Sequence, residues 1–156
     1  NNQTDIGKTF ASSVEEKIAE FPEWEKEICM YWERWEDMIG GAVEGMLDWI
    51  CELKKVGYKV YGLSNWSAET FPLVKDKFPV FKMMDGIVIS GEELIAKPDH
   101  RIYQILLNRY NLQANECVFV DDRQGNIDAA KELGIHGITF INCEQAKNAF
   151  YHIIKN

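Results

Sequence analysis

The stretch that most constrains this chain runs from Cys117 to Gly134, CVFVDDRQGNIDAAKELG. Cys117-Val-Phe-Val is a continuous apolar run without alternation, the pattern of a strand buried on both faces of a parallel sheet. It stops at Asp121-Asp122. Adjacent carboxylates at the tip of a buried strand repel each other and lose hydration. A bound divalent cation relieves both costs, and hard carboxylate oxygens suit Mg²⁺. Gly125 loosens the turn, Asn126 is placed to cap a helix, and Ile127 to Leu133 continues that helix until Gly134 stops it. Strand, acidic tip, turn and helix predict the carboxyl-end crevice where open α/β sheets bind ligands. Taken alone, the stretch also fits a solvated loop with two incidental aspartates.

The rest of the chain repeats this texture from Tyr58 onward. Strands are predicted at Lys59 to Ser64, Gly86 to Ser90 and Gly137 to Ile141. Helices are predicted from Ser67 to Lys77 with Ser67 as cap, from Asp99 to Tyr110, and from Glu144 to Ile154. Alternation of strands and helices argues for right-handed βαβ units and an α/β fold with a Rossmann-like parallel sheet. The first third is helical. Phe10, Val14, Ile18 and Phe21 recur at helical spacing, with Ser12 or Ser13 as the expected cap and Glu15 or Glu16 completing a capping box. A second helix is expected from Glu23 to Ile39, with Trp24, Ile28, Tyr31, Trp35 and Met38 on one face, and a third from Val43 to Lys55. The aromatic stripe Trp24, Tyr31, Trp32, Trp35 suits either helix packing or a pocket wall. Gly40-Gly41 marks the best subdomain boundary, dividing 1–41 from 42–156.

Composition narrows the partners. The net charge of −8 argues against nucleic acid. Cysteines at 29, 51, 117 and 143 show no zinc or CxxC spacing, which suits reduced thiols and a cytoplasmic setting. No apolar run approaches the roughly 20 residues that span a bilayer, and there is no signal peptide pattern, so no membrane partner is expected. Asn1-Asn2-Gln3-Thr4 opens the chain without Met and reads as a cut end.

In a parallel sheet all carboxyl ends share one edge. Ser64-Asn65, Ser90 and Asp121-Asp122 are therefore expected to converge, with Lys97 following shortly after its strand. A hydroxyl with an amide, a fixed cation and a carboxylate pair are what phosphoryl transfer asks for.

These residues also resemble a known family. Leu63-Ser64-Asn65-Trp66-Ser67, then Lys97-Pro98-Asp99, then Phe119-Val120-Asp121-Asp122 with Asn126, look like the second, third and fourth motifs of the haloacid-dehalogenase-like hydrolases. The resemblance covers essentially the whole chain and lies in the phosphatase branch with a helical cap, close to small sugar-phosphate phosphatases such as glucose-1-phosphate phosphatases. It implies that 1–41 is the latter part of the cap and that 42–156 is the α/β core without its first strand. It implies roles as well. Ser64, helped by Asn65 and nearby amides, would hold a phosphoryl oxygen, and Lys97 would neutralise charge there. Asp122 would bind Mg²⁺ directly with Asp121 assisting, and Asn126 would orient Lys97 or a metal-bound water. Trp66 is expected at the mouth of the site, contacting a small phosphorylated metabolite. Dehalogenases of this family work without metal, so the acidic pair favours phosphate chemistry.

One departure is large. The family's first motif, an Asp-x-Asp after an apolar strand, supplies the nucleophile, and no Asp-x-Asp occurs here. The chain alone is therefore expected to bind phosphate without turnover, the reacting carboxylate lying in a full-length parent. A non-catalytic binding or regulatory module on the same scaffold is the alternative from another class, and a dehalogenase-type hydrolase is a further one. A signalling receiver domain is disfavoured because its acidic pair comes first in the chain, not last. Without its first strand, the sheet would carry a slot between the strands ending at Ser64 and Asp121. The protein's own N-terminal segment or a swapped second copy is expected to fill it, with direct pairing of the two strands across a collapsed sheet as the third option.

Overall fold

A computed structural model describes residues 3–155. Asn1 and Asn2, on which the cut-end reading partly rests, lie outside the described residues.

The chain opens with a 3-10 turn, Thr4–Ile6, and helix α1, Phe10–Glu20. The α1 cap is Thr9, not Ser12 or Ser13: its hydroxyl accepts from the Ser12 amide at 3.1 Å. The helix starts at Phe10, where the apolar pattern starts, and the Phe10 amide is taken by Glu69 Oε2 at 2.7 Å, 59 residues away. The expected helix from Glu23 to Ile39 is broken into a turn Pro22–Trp24, helix α2 Glu25–Glu33 and a turn Trp35–Met38. Arg34 leaves the helical region (φ −118°, ψ 18°). The break lets Trp35 and Ile39 pack against buried Phe71, Val74 and Ile89. Burial of such side chains contributes about 1.5–3 kcal/mol each, well above the cost of ending a helix early.

Helix α3, Met46–Lys55, leads to strand β1, Tyr61–Ser64, and short helices α4, Phe71–Val74, and α5, Pro79–Met83, follow. Ser67 does not cap a helix from Ser67 to Lys77 as expected. Its Oγ accepts from the Glu69 amide in a local turn, and the helix is confined to the four residues of α4. Strand β2, Gly86–Ile89, runs into α6, Ser90–Glu93, and then α7, His100–Arg109. Asp99 caps α7 through the Arg101 amide. Strand β3, Val118–Asp121, helix α8, Gln124–Glu132, strand β4, His136–Thr139, and helix α9, Cys143–Ile153, complete the chain. Asn126 is not the α8 cap. It lies inside the helix, whose N-cap is Arg123.

The α/β fold with parallel strands is as expected. Strand β1 pairs in parallel with β2, Tyr61 opposite Gly86 and Ser64 opposite Ile89. Strand β3 pairs in parallel with β4, Val118 opposite His136 and Asp121 opposite Thr139. Among the described residues no ladder joins β1 to β3, so the sheet is two separate parallel pairs. One apolar cluster spans both pairs, with Val88 of β2, Leu63 of β1 and Phe119 of β3 around fully buried Ile102 and Tyr103 of α7. No helix among the described residues is long and apolar enough to cross a membrane.

Candidate active site

The interrupted sheet places the carboxyl ends of β1 and β3 on either side of one lysine. Lys97 Nζ donates to the Leu63 carbonyl at 2.6 Å and to Asp121 Oδ2 at 2.7 Å. Both side chains of the ion pair are nearly buried, 9% and 7% exposed. Nζ also lies 5.3 Å from the centre of the Phe119 ring, a further attraction for a cation. The lysine is held from behind. Asn65 Oδ1 accepts from the Lys97 amide at 2.8 Å, and Asn65 Nδ2 donates to the Lys97 carbonyl at 2.9 Å. Both ends of the Asn65 amide are thus engaged by the Lys97 backbone. In this geometry Asn65 holds the Lys97 backbone; the family resemblance implied that it helps Ser64 hold a phosphoryl oxygen.

Asp121 is the hub on the other side. Its Oδ1 accepts from the Arg123 amide at 2.8 Å and from Asn126 Nδ2 at 2.9 Å. Burial pushes its carboxyl up, but Lys97, the Arg123 amide and Asn126 outweigh burial and hold it below the usual carboxylate range. Asn126 therefore orients Asp121, whereas the family resemblance implied Lys97 or a metal-bound water. Asn126 is held in turn by Tyr103, whose hydroxyl donates to the Asn126 carbonyl at 2.8 Å while the ring is fully buried. Burial, and then the Asp121 charge, push that phenol well above its usual range. Tyr103 was not legible as a site residue, because an apolar position on an amphipathic helix gives no sign of what its hydroxyl reaches.

Asp122 follows at the strand tip and is exposed. The donor set is that of a hard-cation site with few protein ligands. Asp122 offers a carboxylate to solvent, and Asp121 Oδ2 accepts one hydrogen bond. Mg²⁺ is commonly held by one or two carboxylates, with waters and phosphate oxygens completing its shell. The pair fits that pattern. Among the described residues no group of three or more His, Cys, Asp or Glu side chains could hold a metal unaided.

Ser64 ends β1, one residue after the Leu63 carbonyl that accepts from Lys97, and is partly buried. Ser90, expected to join the site, does not face it. It is fully buried, accepts from the Trp66 amide at 3.0 Å and so anchors the loop that leaves β1. Gly91 anchors the same loop, its amide donating to the Trp66 carbonyl at 3.0 Å. A Cβ on Gly91 would stand 2.4 Å from the Ala68 nitrogen and 2.8 Å from the Trp66 oxygen, both backbone atoms. Gly91→Ala is expected to lower stability by about 1–3 kcal/mol through overpacking, read as a fall in the urea midpoint. An unchanged midpoint would mean that the loop moves aside freely.

Trp66 both packs and faces a cavity. Its indole Nε1 donates to Thr70 Oγ1 at 3.0 Å, and its ring meets Phe71 and Phe81 edge-on. It also lines a cavity of about 300 Å³ that lies between this loop and the N-terminal helices. The aromatic stripe of the sequence divides accordingly. Tyr31 and Trp35 line the cavity, Trp32 stacks on Phe10 at 4.4 Å, and Trp24 is 55% exposed.

A family profile described as haloacid dehalogenase-like hydrolase matches residues 5–134. The chain belongs to the haloacid dehalogenase-like hydrolases. Over 87 residues it is 34% identical to the sesquiterpene phosphatase astK of Aspergillus oryzae, covering 56% of this chain and 44% of that protein. Over 87 residues it is 29% identical to (S)-2-haloacid dehalogenase 4A of Burkholderia cepacia, covering 56% of this chain and 38% of that protein. The chain thus spans less than half the length of these curated relatives. Its fold is similar to a wild-type haloacid-dehalogenase-family enzyme from Bacteroides thetaiotaomicron, solved with magnesium and inorganic phosphate. The TM-score is 0.75 at 22% identity, over 95% of this chain and 77% of that one.

Proposed function

We propose that this chain carries the phosphate- and metal-binding half of a Mg²⁺-dependent phosphatase that acts on a small phosphorylated metabolite. The observation that carries the reading is the buried Lys97 ammonium, fixed between the Leu63 carbonyl and Asp121, with an exposed carboxylate one residue further on. A preorganised cation in a poorly hydrated crevice stabilises charge that develops on phosphoryl oxygens. The Ser64 hydroxyl stands at the same edge as a donor to one of those oxygens. Asp122, with Asp121 behind it, would hold Mg²⁺, which supplies charge neutralisation on the phosphate when bound. In the full-length parent a carboxylate outside this chain would attack phosphorus, the bond to the alcohol oxygen would break, and water would then cleave the aspartyl-phosphate. The chain alone would bind phosphate without turnover. A sugar phosphate is the substrate suggested by the family resemblance.

Titration calorimetry with Mg²⁺ and inorganic phosphate tests the binding half directly. Each ligand is expected to tighten the other in the native chain. Asp122→Asn is expected to weaken Mg²⁺ at least about tenfold, a loss of about 1.4 kcal/mol, and to remove that coupling. In the parent carrying Asp-x-Asp, the same change should remove Mg²⁺-dependent phosphate release. Near-normal release by the variant would reject the assignment of Asp122. Halide release from a 2-haloacid without metal would favour a dehalogenase instead.

A further inference from the structure

The cavity between the N-terminal helices and the loop after β1 is walled on one side by six apolar or aromatic side chains, Phe10, Tyr31, Trp35, Met38, Ile39 and Trp66. Trp66 is held rigidly by its indole hydrogen bond and its two edge contacts. The polar members of the wall are mostly engaged elsewhere. Asn65 is bound at both ends to the Lys97 backbone. Ser67 Oγ accepts from the Glu69 amide, and Thr70 Oγ1 accepts from the Trp66 indole. Asp5 is the charged group of the lining. Burial pushes its carboxyl above the usual range, against the pull of the Arg123 guanidinium.

Asn65 belongs both to this wall and to the cradle of Lys97, so the cavity adjoins the candidate site on the side of the Lys97 backbone. Its volume of about 300 Å³ equals that of roughly ten waters at about 30 Å³ each. That is the low end for a small-ligand pocket. A sugar ring presents a hydroxyl on nearly every carbon, and each one buried without a partner is penalised. An aromatic or alicyclic body makes no such demand, and the four aromatic rings of the wall can pack against it.

We infer that this cavity holds the alcohol part of the phosphate ester, and that it selects an aromatic or alicyclic alcohol of about ten non-hydrogen atoms over a sugar. The inference rests on the phosphatase reading for what occupies the adjoining site. Tyr31 and Trp35 are its specificity-determining residues, and the Asp5 carboxylate accepts from a single hydroxyl or amine at the far end of the alcohol.

Calorimetric titrations of the full chain with naphthyl phosphate, glucose 1-phosphate, inorganic phosphate and naphthol, all with Mg²⁺, test it. Naphthyl phosphate is expected to bind at least about tenfold more tightly than glucose 1-phosphate. Tyr31 is 41% exposed, so Tyr31→Ala should fold, and it should cut that preference to about threefold or less. Equal or tighter binding of glucose 1-phosphate overturns the inference, and if inorganic phosphate still binds, the phosphatase reading survives. Naphthol binding as tightly as naphthyl phosphate, with no binding of inorganic phosphate, supports the apolar cavity and rejects the phosphatase reading. A preference unchanged by Tyr31→Ala overturns the assignment of the cavity wall.

Discussion

Lys97→Met is expected to destabilise the protein by about 3–5 kcal/mol at neutral pH, the range for leaving one member of a buried ion pair without its partner. Methionine matches the stem of lysine in length, so little packing is lost. What remains is the Asp121 carboxylate, 7% exposed in its side chain, with donors from the Arg123 amide and Asn126 only. Those two hydrogen bonds place the loss at the lower end of the range. Asp121→Asn in the same background removes the stranded charge, so the double variant should lose less than the sum of the two single changes, by about 1–3 kcal/mol. Urea denaturation of the four proteins gives this coupling. A single-variant loss below about 1 kcal/mol, the level of an exposed pair, would show that water already screens Lys97 from Asp121.

The same variant weakens a pH dependence. In the native protein the Asp121 carboxyl titrates below its usual range. Its contribution is therefore fully present above the unfolded value of about 3.9 and is lost as pH falls through the lower, folded value. Asp85, held at about 2 by the Lys54 ammonium and the Val60 amide, adds to the loss over the same acid window. Without Lys97, burial is opposed only by the Arg123 amide and Asn126, so the folded value rises from its native position. The penalty is then full at neutral pH and is relieved as pH falls toward that raised value. The stability gap between native and Lys97→Met should narrow as pH falls through the variant's folded value. A constant gap would place the loss in packing and not in charge.

How much of this is legible in the sequence depends on whether its cause is local. The run Val118 to Asp121 is apolar up to a carboxylate, and it forms a parallel strand as that run suggests, its residues partly rather than fully buried. Asp99 before His100 is an ordinary helix start, and the structure uses it so. Elsewhere distant contacts decide. The helical pattern from Glu23 to Ile39 is continuous on paper, but Trp35 and Ile39 are drawn onto Phe71, Val74 and Ile89, elements more than thirty residues away. Pro79 opens a short helix, α5, in a stretch whose residues show only a gap between patterns. In the candidate site the residue types are legible and their partners are not. Asn65 reads as a helper at the phosphate, and Asn126 as a group that orients Lys97 or a metal-bound water. Only the fold shows that one is bound to the Lys97 backbone and the other to Asp121. Ser90 looks equivalent to Ser64 on paper, since each lies at the end of a strand. It differs because its hydroxyl is buried against the Trp66 backbone.

The second large effect concerns the inner edges of β1 and β3. Each strand has one parallel partner, β2 or β4, and among the described residues neither edge is paired with the other. Lys97 reaches both through the Leu63 carbonyl and Asp121, so the two edges stand on either side of its ammonium. Unpaired strand amides and carbonyls at the centre of a fold are costly, and one inserted strand, at about 4.8 Å from each neighbour, would satisfy both rows. We propose that the occupant is a segment of this protein's own full-length chain, apolar for about five residues and ending in Asp-x-Asp. Apolar residues suit a strand covered on both faces, and its terminal carboxylate would meet Lys97 at the carboxyl ends of β1 and β3. A synthetic peptide of that design, added at about a hundred times its dissociation constant, should stabilise the fold by about 2.7 kcal/mol. That corresponds to a rise in melting temperature of about 5–10 °C for a domain of this size. A proline at the centre of the peptide removes a ladder amide and should abolish the rise. With the peptide bound, phosphate release from naphthyl phosphate should appear and should require Lys97, Asp122 and the first Asp of the peptide. No rise in melting temperature with the apolar peptide would reject a peptide-accepting slot. A chain that is dimeric without peptide, and that exchanges subunits only on unfolding, would assign the slot to a second copy instead.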